Sequence, residues 1–294
     1  MVKVAAIQVS ASRDLDRNLR KAGQYLEVAA QRGVRIACFP ELFGLPWFPS
    51  EPRPEAFEWA QPLGGRLEEA LSQAAARLGI AVVAPFFERA GDGVFYNSAL
   101  VLDSKGARVG LYRKVHVPRI PLWEEKYYFA PGDRGFGVFQ VDGVRLGIQL
   151  GWDHFFPEGF RCLALGGAQI VFVPTAAAFA SQERWLAMSV SHAVANGIFV
   201  VRVNRVGGEP GLDFYGGSFV VQPDGELAAD PIGLDEGMLT VECEVAQVER
   251  ARQTWPFLKD RRPRQYAAVA GVAWGPHLLP PEADGDAEPA SEAT

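Results

Sequence analysis

Leu146-Gly-Ile-Gln-Leu-Gly151-Trp-Asp-His-Phe-Phe-Pro-Glu158 holds, within thirteen residues, the three pieces from which a layered α/β protein is built. An apolar run suited to a buried strand ends at a glycine, and a helix start follows at Pro157, where a missing N–H costs nothing. A sharp strand-to-helix turn of this kind fits a sheet covered by helices, and the rest of the chain repeats the theme.

Working outward, the periodicity predicts strands over 2–9, 34–39, 80–87, 96–102, 108–115, 137–141, 145–150, 169–174, 198–204 and 238–244. Helices are predicted over 14–32, 64–78, 157–165, 183–196 and 245–253, and a hairpin over 216–230 turning at Pro223-Asp-Gly225. Mixed αβ and ββ connections predict sheets covered on one face by helices. One domain is expected over residues 1–275, and a disordered Pro/Glu/Asp/Ala/Ser tail over 276–294.

The 294 residues are 48% hydrophobic and 22% charged with a net charge of −6, an ordinary globular balance. That charge argues against a nucleic-acid footprint and against an anionic-membrane role. No apolar run nears the roughly 18 residues of a membrane span. Three scattered cysteines, Cys38, Cys162 and Cys243, suggest a reducing compartment, so the expected location is the cytoplasm. The histidines His116, His154, His192 and His277 have no metal-ligand spacing, and no metal or cofactor is expected.

Two further segments place a charged residue at a strand exit. In Ile36-Ala-Cys-Phe-Pro-Glu41 a carboxylate follows a buried strand and a proline, a rigid position suited to general base work; a helix-capping or surface role is the alternative. In Leu111-Tyr-Arg-Lys114-Val-His-Val-Pro118 a lysine lies in an apolar pattern. It must be paired or point into a cleft, where it would hold a developing oxyanion, or else it snorkels. The third segment, with its turn at Gly151, has the geometry of a nucleophile elbow, yet the residue at the elbow has no side chain. Trp47, Phe48, Trp123, Tyr127 and Tyr128 flank Glu41 and Lys114; Trp47, Trp123 and Tyr128 are candidate walls of a small-molecule pocket, with core packing as the alternative.

Together these segments resemble the nitrilase superfamily of carbon–nitrogen hydrolases, over essentially residues 2–275. The pattern around that family's Glu, Lys and Cys is matched by Phe-Pro-Glu41, Tyr-Arg-Lys114-Val-His and Gly151-Trp-Asp-His-Phe-Phe-Pro-Glu158, with separations of 73 and 37 residues. Glu125-Lys-Tyr-Tyr-Phe-Ala-Pro-Gly-Asp133, the stretch from Ala195 to Arg205 and that from Pro256 to Pro263 match as well. The stretch Lys114 to Lys126 looks nearest to the branch of N-carbamoylputrescine amidases and related carbamoyl-amide hydrolases. The resemblance implies a four-layer αββα sandwich that forms a homodimer or a higher homo-oligomer, and a small-molecule amide, carbamoyl amine or nitrile as substrate. It further implies that Glu41 is the general base, that Lys114 and the Trp152 backbone N–H hold the oxyanion, and that Glu125 is a second, substrate-orienting carboxylate.

Gly151 departs from that pattern at the nucleophile itself. Glycine offers no thiol, and losing such a nucleophile costs on the order of 10⁶-fold in rate. Cys38 and Cys162 are read as buried core cysteines, not replacements. The favoured reading is a disabled member of the superfamily that keeps a ligand pocket or pairs with an active relative. The others are a hydrolase using water or another nucleophile, and a deliberate knockout of such an enzyme.

Overall fold

In the computed structural model, described for residues 1–179, 181–266 and 269, alternation at the start of the chain does what its period dictates. Val2, Val4 and Ala6 face one core while Ala5 and Ile7 face another, because successive strand side chains point to opposite faces. This strand, β1 (Val2–Gln8), leads into α1 (Leu15–Gln31), whose start is capped by the Asp14 side chain accepting from Arg17 N at 3.1 Å. β2 (Ile36–Cys38), α2 (Arg66–Leu78), β3 (Ala81–Arg89), β4 (Phe95–Leu102) and β5 (Arg108–Arg113) follow. After the short α3 (Glu125–Tyr128) come β6 (Phe139–Val141), β7 (Val144–Ile148), α4 (Pro157–Leu165), β8 (Ile170–Thr175), α5 (Gln182–Asn196) and β9 (Phe199–Asn204). The chain then forms β10 (Val206–Glu209), β11 (Leu212–Tyr215), β12 (Phe219–Val221), β13 (Gly237–Cys243) and α6 (Ala246–Thr254).

Two large sheets result, ordered β13-β1-β2-β3-β4-β5 and β12-β9-β8-β7-β6, with β10 and β11 pairing as a separate two-stranded ribbon. The residues that one face of each sheet contributes, such as Val4, Ile36 and Val83 with Ile148, Phe172 and Val201, form a single buried cluster. The opposite face of the first sheet packs on Leu26 and Ala29 of α1 and Leu67 and Leu71 of α2. That of the second packs on Phe160 and Leu163 of α4 and Trp185 and Ala193 of α5. The layers therefore run helix, sheet, sheet, helix, which is the αββα sandwich expected.

Some boundaries differ from the sequence reading. The strand predicted over 108–115 ends at Arg113, so Lys114 is the first residue beyond it. The β10–β11 hairpin was not predicted, because Val206-Gly-Gly-Glu209 has too little apolar alternation to signal a strand. Contacts divide the chain into Met1–Leu258 and Lys259–Thr294. In the second unit the described residues form a single turn, Pro263–Tyr266, with Arg262 N donating to the Tyr266 hydroxyl at 3.0 Å. The boundary expected at 275 and the tail over 276–294 lie outside the described residues. Among the described residues no helix is long and apolar enough to cross a membrane.

Candidate active site

Three strand exits converge. Phe39 N extends the β2 ladder by donating to Val83 O at 3.1 Å, Pro40 ends it, and Glu41 follows, 2% exposed. A surface or capping role for Glu41 is thereby removed. The next residue, Leu42, sits at φ 50°, a left-handed conformation that costs a branched side chain about 1–2 kcal/mol. Buried Arg205, just past β9, holds this bend: its Nη2 donates to the carbonyls of Glu41 (3.1 Å), Leu42 (2.9 Å) and Leu45 (2.8 Å). Arg205 Nη1 pairs with Glu209 at 2.7 Å, and Glu209 also accepts from Trp47 N at 2.5 Å. One ion pair thus ties both ends of the Glu41 loop, a role the sequence did not reveal.

Lys114 is 1% exposed and does not snorkel. Its backbone N donates to Asn97 O (2.9 Å), and its carbonyl accepts from Gly132 N (2.7 Å). Glycine is needed at 132 because a Cβ there would collide with the Arg113 and Lys114 carbonyls. Lys114 Nζ donates to Glu41 Oε1 at 2.8 Å and to both Glu125 oxygens at 2.8 and 2.7 Å. Asn97 Nδ2 completes the cluster, donating to Glu41 Oε1 (2.8 Å) and Glu125 Oε2 (3.3 Å). Asn97 is a further residue that sequence reasoning missed.

One ammonium between two buried carboxylates cannot satisfy both fully. Burial opposes the Lys114 charge, but Glu125 and Glu41 outweigh it and hold the ammonium protonated, above the ordinary lysine range. Burial, aided by the Glu41 charge and opposed by Lys114, pushes Glu125 up to about 7. Such a carboxyl is poised to exchange a proton near neutrality.

The elbow lies against this cluster. β7 runs into one turn of 3₁₀ helix, Gly151–Phe155, and then into α4. Gly151 has φ 46°, and a Cβ added there would stand 2.7 Å from Glu41 Oε1 and nearer still to Oε2. The carboxylate therefore occupies the space that a side chain at 151 would need. Asp153 fastens the turn: it accepts from Leu150 N (3.2 Å), the Tyr112 hydroxyl (2.6 Å) and His116 N (2.8 Å). Trp152 N precedes the first bond of that turn, Asp153 N to Leu150 O, and so has no acceptor within the turn, as an oxyanion donor requires.

A cavity of about 230 Å³ opens over Glu41, Lys114, Glu125 and Gly151, with Trp123 and Trp152 among its walls. The Trp123 ring is fixed by Nε1 donating to Ala176 O at 3.3 Å. Two expected wall residues are elsewhere. Tyr128 packs edge-on to Phe48 and Phe87, and its hydroxyl donates to Glu51 O at 2.6 Å and accepts from Arg53 N at 2.7 Å. Trp47 is 3% exposed in the same aromatic cluster, with Nε1 donating to Leu122 O. Both are core aromatics. Cys38 is buried between the sheets as expected, whereas Cys162 is exposed on α4, contrary to the core role expected of it. Neither cysteine lines the cavity. His154 and His192 are core residues, stacked on Trp185 and Phe160 and held uncharged by burial.

A helix–sheet–sheet–helix sandwich with Glu41 and Lys114 at strand exits around one cavity defines a class, and the chain belongs to the carbon-nitrogen hydrolase family, whose model matches residues 3–253. Among its relatives is the N-carbamoylputrescine amidase of Solanum lycopersicum, 36% identical over 285 residues and covering 92% of this chain and 95% of that protein. The carbon-nitrogen hydrolase of Helicobacter pylori G27 superposes with a TM-score of 0.88 at 30% identity, over 92% of this chain and 99% of that one. A glutamate-to-glutamine mutant of the amidase from Nesterenkonia sp. AN1, solved with the acetamide moiety of fluoroacetamide covalently added at its active site cysteine, gives a TM-score of 0.79 at 29% identity, over 91% and 96% of the two chains.

Proposed function

We propose that this chain binds a small amide or carbamoyl compound in the Glu41–Lys114–Glu125 cavity and is disabled for covalent hydrolysis. The observation that carries the reading is Gly151. The elbow, its Asp153 fastening and the acid–base pair are present, while the one atom that would attack carbon is absent. No other thiol stands in, since Cys38, Cys162 and Cys243 all lie outside the cavity lining. Lys114 remains in place to hold a carbonyl oxygen, together with Trp152 N–H, so a planar amide or urea would still find its polar partners. Resemblance to a dimerising family supports a homodimer or higher homo-oligomer in the cytoplasm, alone or with an active relative; light scattering on the purified protein reads the assembly.

Ammonia release from carbamoyl amines, ω-amides and nitriles, compared between the protein and its Gly151→Cys variant, tests the reading. The variant's new Cβ requires the Glu41 carboxylate to shift, and once a thermal melt shows the variant folded, the unaltered protein should stay several orders of magnitude below it. Turnover at a comparable rate would establish water or another group as nucleophile and overturn it. Isothermal titration with the same compounds should show binding by the unaltered protein.

A further inference from the structure

The charges lining the cavity are unevenly placed. Two carboxylates, Glu41 and Glu125, reach it, and both are bonded to Lys114 in the buried cluster. The one other charged residue among the described lining is Arg184, an exposed residue in the first turn of α5. No carboxylate among the described residues forms an ion pair with Arg184, and its chain neighbour Glu183 is not part of the lining. Beside it the mouth is apolar, with Ile120 and Phe179 exposed by 39% and 51%. A ligand whose amide or urea end reaches Lys114 therefore extends past aromatic walls towards a single positive charge.

We propose that the outer cavity receives an anionic tail, the carboxylate of a short ω-ureido or ω-amido acid, through Arg184. This rests on the binding reading above and names its ligand class. N-carbamoylputrescine, the compound in the tomato relative's name, ends in an ammonium group. Such a tail would find no acidic partner among the described outer wall residues, and would meet a like charge at Arg184. A carboxylate meets a guanidinium whose fork of donors matches it in pairs. At an exposed position the attraction is modest, so the selectivity expected is about five- to tenfold.

Isothermal titration of the full-length protein at pH 7.5 and low salt, with three ureas of matched length, tests this. 4-Ureidobutyrate carries the anion, N-carbamoylputrescine the cation, and butylurea neither. The anion should bind at least about fivefold more tightly than the cation, and the gap should shrink towards twofold in half-molar salt, where screening is strong. Arg184→Glu, shown by its thermal melt to be folded, should reverse the order. Equal or tighter binding of N-carbamoylputrescine by the unaltered protein, or an order unmoved by Arg184→Glu, overturns the assignment. If butylurea binds while the anion has no advantage, only the tail assignment fails. If none of the three binds, the binding reading fails and takes this one with it. Any turnover is read as kcat/KM in the same order.

Discussion

Replacing Gly151 by alanine disturbs the elbow in two separable ways. The backbone at φ 46° is left-handed, which a Cβ opposes by about 1–2 kcal/mol. The new methyl also meets the Glu41 carboxylate at 2.7 Å from Oε1, so that carboxylate must move off its bonds to Lys114 and Asn97, each 2.8 Å long. Weakening one charge-assisted buried bond costs about 1–3 kcal/mol, which brings the total to roughly 2–5 kcal/mol. For a unit of this size the melting temperature should fall by about 4–15 °C. Gly79 supplies the control: it closes α2 at φ 65° with nothing within 4 Å of its added Cβ, so Gly79→Ala reports the backbone cost alone. Urea unfolding of both variants, and of Gly151→Ala combined with Glu41→Ala, isolates the contact, since the pair should be less than additive. A Gly151→Ala variant no less stable than Gly79→Ala would refute the placement of Glu41 against the elbow.

Arg205→Ala should destabilise the protein by about 3–5 kcal/mol in urea, because Glu209 and three carbonyls lose a buried partner, and Arg205→Lys should rescue little of it, a single ammonium being unable to span them. Glu125, raised from an ordinary 4.5 to about 7, binds its proton more tightly in the folded state; its contribution is complete below about 4.5 and is lost, on the order of 3 kcal/mol, as pH rises to about 7. Glu125→Gln should flatten that stretch of the stability–pH curve, and an unchanged slope would show that Glu125 is not the group responsible. An aromatic disulfide reagent should label Cys162 in the native protein, with Cys38 and Cys243 reacting only after unfolding, because burial pushes Cys243 up to about 12 and raises Cys38 as well. Trp123→Ala should weaken butylurea binding, whereas Tyr128→Phe should cost about 1 kcal/mol of stability and leave binding alone.

Glu41, Lys114 and Gly151 were legible because each stands where an apolar strand stops, and strand exits show in hydrophobic periodicity. The αββα layering followed from the family pattern those residues carry, not from periodicity, which marks strands without pairing them. Asn97 and Arg205 were hidden for a different reason. Asn97 sits inside an apolar strand 56 residues from the carboxylate it bonds, and Arg205 reaches the Glu41 carbonyl across 164 residues. No local spacing encodes such closures. Aromatics misled in the opposite way: Tyr128 and Trp47 lie near the site in sequence, yet each polar tip finds a backbone partner within the core.

The ties of Asp153 have a consequence for how such chains are recognised. Because it accepts from Tyr112, His116 and Leu150, the residues around Lys114 and those after Gly151 support one another mechanically, whatever stands at the elbow. Losing those partners would cost folding stability even where turnover no longer matters. The residues that carry the family signature are thus part of the scaffold as well as of the cavity. In this architecture a matched motif certifies ancestry and shape, and what residue 151 does for turnover is read by the Gly151→Cys comparison.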